Sequence, residues 1–202
     1  MWGLPTEGRM TMTVLIEDSD SILAVIDTQP AFLEKLDERV AKETVDRVRW
    51  LVKLAGLLEI PIVVTEERPE PNGGTAKPIE DVLPDTITRH NKPAFSVAAC
   101  PSIMVDLESH GRRTAVLCGL ETDVCIAQSA IGLRDAGWKV IVVEDAVASP
   151  GTAHDQGLAR MREAGVELVG IKSLCYEWLR TLEKTDRIKE FLTADQPMGI
   201  TM

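Results

Sequence analysis

The sequence predicts an α/β fold: a doubly wound, mostly parallel sheet of six strands in the order 3-2-1-4-5-6, Rossmann-like, with helices on both faces. Three observations predict it. Short apolar runs alternate with segments of helical spacing along nearly the whole chain. The runs are continuously apolar, as in strands covered on both faces. Residues able to do chemistry stand just after several of them. Strand–helix alternation implies parallel pairing with crossover helices. Right-handed crossovers then bring all strand C-termini to one edge, where such folds place their sites.

The first strand covers residues 21–27 and ends on Asp27. Pro30 follows and stops it. Val40, Val45, Val48, Leu51, Val52, Ala55 and Leu58 recur at helical spacing and predict an amphipathic helix over 39–58. The second strand covers 61–65. From 66 to 91 the chain carries Pro69, Pro71, Gly73, Gly74, Pro78 and Pro84. A loop this long is usually functional; it ends in a short third strand, 86–90. Residues 102–110 read as a helix with Ser102 as N-cap and Gly111 as its stop. The fourth strand, 114–118, breaks at Gly119. Val124, Ala127, Ala130 and Ile131 then resume at helical spacing. A strand over 139–144, a helix over 152–164, a strand over 167–171 and helical segments over 173–183 and 186–192 complete the pattern. The chain reads as one domain: a loosely docked arm over 1–20, a core over 21–192 and a tail over 193–202.

Composition narrows the function. A chain of 202 residues is long enough to bury about 70% of its unfolded surface. Lys and Arg number 22 against 32 Asp and Glu, a formal charge of −10 with no basic run to offset it. Nucleic acid and anionic membrane surfaces are therefore poor partners. No apolar stretch reaches membrane-spanning length, and residues 1–13 lack the apolar centre of a signal peptide. Cys100, Cys118, Cys125 and Cys175 form no CxxC pair, and His90, His110 and His154 are far apart. That argues against a zinc site and for a reduced, cytoplasmic protein. GxGxxG, GxxxxGK[ST] and GxSxG are all absent. A dinucleotide site, a P-loop and the usual serine hydrolase elbow are set aside with them.

A carboxylate, a lysine and a cysteine remain. Asp27 follows strand one, Lys92 strand three and Cys125 strand four. In the order 3-2-1-4-5-6, strands one and four flank the switch point, so Asp27 and Cys125 become neighbours. Cys125 is expected about one turn inside a helix, whose N-terminal end favours a thiolate and lowers a thiol's pKa. A carboxylate beside a thiol can take its proton, and a lysine can hold that carboxylate ionised or meet developing negative charge.

The run Cys118-Gly-Leu-Glu-Thr-Asp-Val-Cys125-Ile resembles the signature of the isochorismatase-like cysteine hydrolases. Asp27-Thr-Gln29-Pro-Ala-Phe32, Lys92-Pro-Ala-Phe95-Ser96, Glu144-Asp-Ala-Val-Ala-Ser149 and Ala159-Arg-Met-Arg-Glu-Ala-Gly165 are similar to its other motifs, in the same order. The likeness covers roughly residues 21–182 and lies nearest to the small members of unassigned substrate. It implies Cys125 as nucleophile, Asp27 as general base and then acid, and Lys92 as third member. It further implies a cis peptide at Leu120–Glu121, with the Glu121 and Cys125 amides forming an oxyanion hole.

Gln29, Phe32, Glu67 and Phe95 are candidate pocket residues; Glu66, Glu67 and Arg68 together read as a solvated rim, with Arg68 also able to meet an anionic substrate group, so Glu67 carries both readings. The metal motif of nicotinamidase members, Asp-x-His after strand two, is replaced by Thr65-Glu-Glu-Arg. No metal and no cofactor are expected. Glu67 stands where the small members carry glutamine, and Asp123 where they often carry histidine. The expected activity is cysteine-dependent hydrolysis of a small molecule at an amide-type C–N bond, through an acyl-Cys125 intermediate, by a homo-oligomer (a dimer or larger). Isochorismate-type ether hydrolysis and a non-catalytic binding or assembly module are the alternatives.

Overall fold

The run Ser21–Ile26 forms strand β1 and is buried at every position. The structure, a computed structural model, describes residues 15–202. After β1 come β2 (Ile62–Glu66), β3 (Arg89–Asn91), β4 (Thr114–Leu120), β5 (Lys139–Ala148) and β6 (Glu167–Val169). They form one parallel sheet in the order β3-β2-β1-β4-β5-β6. Among the described residues the helices are α1 (Pro30–Leu33), α2 (Glu38–Leu57), α3 (Pro69–Asn72), α4 (Lys77–Glu80), α5 (Pro101–Ser109), α6 (Ala127–Asp135), α7 (Ala153–Glu163), α8 (Ile171–Leu179), α9 (Leu182–Arg187) and α10 (Lys189–Ala194).

The core has two layers because strand side chains alternate between faces. Leu23 and Val25 enter the layer under α2 and α8, where Trp50, Leu54 and Trp178 are fully buried. Ile22, Ala24 and Ile26 enter the layer under α5, α6 and α7, with Ile103, Leu133 and Met161. No helix among the described residues is long and apolar enough to cross a membrane.

Several expected boundaries move. Helix α5 starts at Pro101 with Cys100 as N-cap, so Ser102 lies inside the first turn and caps nothing. Proline suits that position because its missing N–H would be unpaired anyway. Strand β5 runs on to Ala148: its register against β4 shifts between Leu117 and Gly119, and Val147 and Ala148 re-pair beyond the bulge. Residues 1–14 of the expected arm lie outside the described residues. Residues 15–20 are firmly docked, with Ile16 fully buried and its amide donating to Glu177 at 2.7 Å. The tail is also packed. The Trp50 indole donates to the Asp195 carbonyl, Arg49 pairs with Asp195 at 2.9 Å, and the Met198 amide donates to Asp46 at 2.7 Å.

The edge holding the strand ends is set by one close approach. At Gly119 (φ +117) a Cβ would lie 2.0 Å from the Ile26 carbonyl oxygen and 2.9 Å from Thr28 Oγ1. Only glycine lets β4 pass the end of β1 this closely. Gly119→Ala is expected to cost more than about 3 kcal/mol in urea unfolding, the range of severe substitutions. Gly56→Ala, in α2 with nothing within 4 Å of the added carbon, is expected to gain about 0.5–1 kcal/mol. Equal effects at the two sites would contradict this assignment of the constraint.

Candidate active site

Asp27 ends β1 in a left-handed backbone conformation, φ +45, which Asp tolerates better than most residues. The turn buries its side chain completely. Oδ1 accepts from Thr65 Oγ1 at 2.7 Å, and Oδ2 pairs with Lys92 Nζ at 2.8 Å. Thr65 is the in-register neighbour of Ile26 on β2. Sequence reasoning does not single it out, although a hydroxyl inside a buried apolar run is a detectable signal.

Lys92 follows β3 and is also fully buried. Its ammonium donates to the carbonyls of Ala94 at 2.7 Å and Phe95 at 3.2 Å, and lies 3.6 Å from Cys125 Sγ. The loop supplying those carbonyls is strapped to α6. Ser129 Oγ accepts from the Val97 amide at 3.0 Å, and at Gly132 a Cβ would fall 2.7 Å from Ser96 Oγ. Ser129 is a second supporting residue that periodicity does not single out.

Cys125 does not sit in the first turn of an ordinary helix, as expected, but in a five-residue π turn, Thr122–Ile126, that precedes α6. Leu120–Glu121 before it is a cis peptide. The turn is held from outside: Thr122 Oγ1 lies 3.0 Å from His154 Nδ1, Ser149 donates to Asp123 at 2.6 Å, and Lys35 pairs with Glu121 at 3.2 Å. Gly157 on α7 lets the two elements touch, since a Cβ there would meet Asp123 Cα at 2.8 Å.

Glu67 turns inward, with Oε2 3.4 Å from Cys125 Sγ and 3.7 Å from Lys92 Nζ. Gln29 makes this possible. Its fully buried amide accepts from the Glu67 N–H at 2.7 Å and donates to the Glu67 and Gly73 carbonyls. Glu66 is not a solvated rim residue, because its carboxylate accepts from both the amide and the hydroxyl of Thr75 at 2.7 Å. Arg68 is exposed as expected. Phe32 packs against Leu120 and Ala148, whereas Phe95 is half exposed and shares a cleft of about 170 Å³ with Glu67, Arg68, Pro93 and Ala94. Asp27, Glu67 and Cys125 each bring a ligand atom within 4.8 Å of the others. Lys92 Nζ already lies among these three groups and takes the place a cation would occupy.

Burial pushes the Asp27 carboxyl above the ordinary range, against the opposing pull of Lys92 and Thr65. Burial alone would lower Lys92, but Asp27, with Cys125 and Glu67, more than offsets it, and the ammonium is held. The Cys125 thiol moves up, through burial first and then through Asp27. This reverses the expectation of a helix-stabilised thiolate: desolvation and two carboxylates outweigh one lysine and a helix end.

The isochorismatase domain model matches residues 21–173. Isochorismatase domain-containing protein 2 of Xenopus laevis is 31% identical over 153 residues, covering 75% of this chain and 72% of the relative. Among solved structures, YcaC of Escherichia coli, described as an octameric hydrolase of unknown specificity, superposes with a TM-score of 0.80 at 20% identity, covering 89% and 90% of the two chains. The MAR1 ribonuclease of Caenorhabditis elegans superposes with a TM-score of 0.80 at 26% identity, covering 93% and 97%. The chain belongs to the isochorismatase-like hydrolase family.

Proposed function

We propose that this protein hydrolyses an amide-type C–N bond of a small molecule through a covalent acyl-Cys125 intermediate. The reading rests on one observation: a buried Asp27–Lys92 pair at 2.8 Å, with Cys125 Sγ 3.6 Å from that lysine. Asp27 takes the thiol proton as sulfur bonds to the carbonyl carbon and the carbonyl π pair moves to oxygen. The Glu121 and Cys125 amides receive that oxyanion, a role worth about 3–4 kcal/mol per donor in comparable sites. The C–N bond breaks, and the amine leaves with the proton from Asp27. Water then adds to the thioester, Asp27 takes its proton, and sulfur departs as the thiol with that proton returned.

The raised Asp27 pKa favours this role, because a stronger base takes a thiol proton more readily. A half-buried cleft suits a small molecule. Two carboxylates at the thiol and a chain charge of −10 disfavour a phosphodiester, the bond that the name of the nematode ribonuclease would suggest. The octameric description of YcaC supports a homo-oligomer here as well.

Cys125→Ala is expected to lower amide turnover at least about 10³-fold with the unfolding midpoint nearly unchanged, and Asp27→Asn to lower it as much while also costing about 3–5 kcal/mol of stability, because Lys92 is left unpaired in the buried site; near-normal hydrolysis by Cys125→Ala would refute the mechanism. The base must be ionised, so kcat/KM is expected to fall on acidification with a midpoint above the ordinary carboxylate value of about 3.9. Thr65→Val removes a hydrogen bond that holds the Asp27 pKa down, and the acid limb should move to higher pH. A limb that stays put or moves down in this variant would show that Asp27 does not set it.

A further inference from the structure

The charges around Cys125 do not balance. Asp27 and Lys92 pair at 2.8 Å with both side chains fully buried, which leaves the Glu67 carboxylate in excess beside a neutral thiol. Its contacts are incomplete. Oε2 meets only the thiol at 3.4 Å and the committed lysine at 3.7 Å, and Oε1 takes no hydrogen bond from any described residue. Yet the residue is held in place from three sides: Gln29 binds its N–H and its carbonyl, and Asn72 donates to that carbonyl at 2.7 Å. Its side chain is 19% exposed, through the cleft it shares with Phe95. A substrate filling that cleft strips water from a carboxylate with no other donor to turn to. Such a carboxylate must then be met by the substrate itself.

We infer that Glu67 is a specificity-determining residue that selects substrates carrying a positive charge next to the reacting carbonyl, of which α-amino amides are the simplest class. The inference rests on the proposed role of Cys125 as the group that meets the carbonyl. Once sulfur bonds the carbonyl carbon, a group on the α-carbon lies two bonds beyond that carbon, within reach of a carboxylate already 3.4 Å from Sγ. An α-ammonium group there neutralises the site and donates hydrogen bonds to the open Glu67 oxygen. The guanidinium of Arg68, which lines the same cleft, is solvent-exposed, so its repulsion acts through water of high dielectric and is weak. Lys92 is spent on Asp27 and two carbonyls.

The test reads charge selection at the thiol without requiring turnover. Modification of Cys125 by methanethiosulfonate reagents is timed with cationic 2-aminoethyl, neutral methyl and anionic 2-sulfonatoethyl forms, each rate divided by that of a free thiol. All four cysteines are buried, so peptide mass spectrometry assigns the modified residue and only the rate at Cys125 is read. The wild type is expected to favour the cation over the anion, and Glu67→Gln to lower that ratio by about tenfold or more. Changes in thiol ionisation cancel in the ratio. In parallel, kcat/KM is measured for glycinamide and for its uncharged isostere propionamide. Glu67→Gln is expected to lower the ratio of the first to the second about tenfold or more, a ratio in which any effect of the substitution on the thiol itself cancels. An unchanged reagent ratio, or a wild type that favours the anion, overturns the inference. Charge selection at Cys125 with no amide hydrolysed supports the assignment of Glu67 and refutes the hydrolytic reading. Hydrolysis of both amides without charge preference does the reverse.

Discussion

The buried ion pair between Asp27 and Lys92 is the constraint on which the site depends. Burying two charges costs several kcal/mol for each ion unless every remaining lone pair and proton is satisfied. That requirement reaches far into the chain. Thr65, on the strand lying between β1 and β3, supplies the hydrogen bond to one Asp27 oxygen. The carbonyls of Ala94 and Phe95 take two protons of the ammonium, which forces the chain after β3 to fold back over the lysine. Ser129 and the absence of a side chain at Gly132 clamp that folded segment to α6. The close passage at Gly119 brings the end of β4, and with it the cysteine turn, beside the pair. Removing either charge would strand the other in a dry site.

Such a site does not store a thiolate. A thiolate would place a third negative group beside Asp27 and Glu67, with only one lysine to meet them. The resting arrangement is thiol, carboxylate and ammonium, and in the proposed reaction the proton moves when sulfur attacks. Catalysis needs interactions that strengthen in the transition state rather than in the resting enzyme. An ion pair that is already desolvated meets the shifting charge without solvent reorganisation. The same surplus of carboxylate is the basis on which we infer selection of cationic substrates at the site.

Much of this is legible in the sequence because strand ends carry the chemistry. Asp27 and Cys125 follow apolar runs and Lys92 a short polar strand; crossover handedness brings these strand ends to one edge, and the order 3-2-1-4-5-6 of a doubly wound sheet makes Asp27 and Cys125 neighbours. What is not legible depends on contacts between distant segments. Thr65 reads as an ordinary β-branched strand residue until its hydroxyl is seen to face Asp27. Glu67 sits among charged neighbours, and its inward turn is imposed by Gln29, 38 positions earlier. The spacing of Val124, Ala127 and Ala130 fits a π turn running into a helix as well as it fits a helix alone. The direction of the Cys125 shift escapes sequence reasoning for the same reason: the helix-end argument is local, whereas burial and the facing carboxylates are tertiary.

The state of the Cys125 proton at rest tests the central claim most directly. Thiolate absorbance near 240 nm, followed against pH as the difference between the wild type and Cys125→Ser, reports that proton without any substrate. The account predicts no thiolate signal through neutrality and a rise only above the ordinary thiol value of about 8.5. A complete step between about pH 5 and 7 would instead show a preformed thiolate, and would contradict Asp27 as the base that takes the proton during attack.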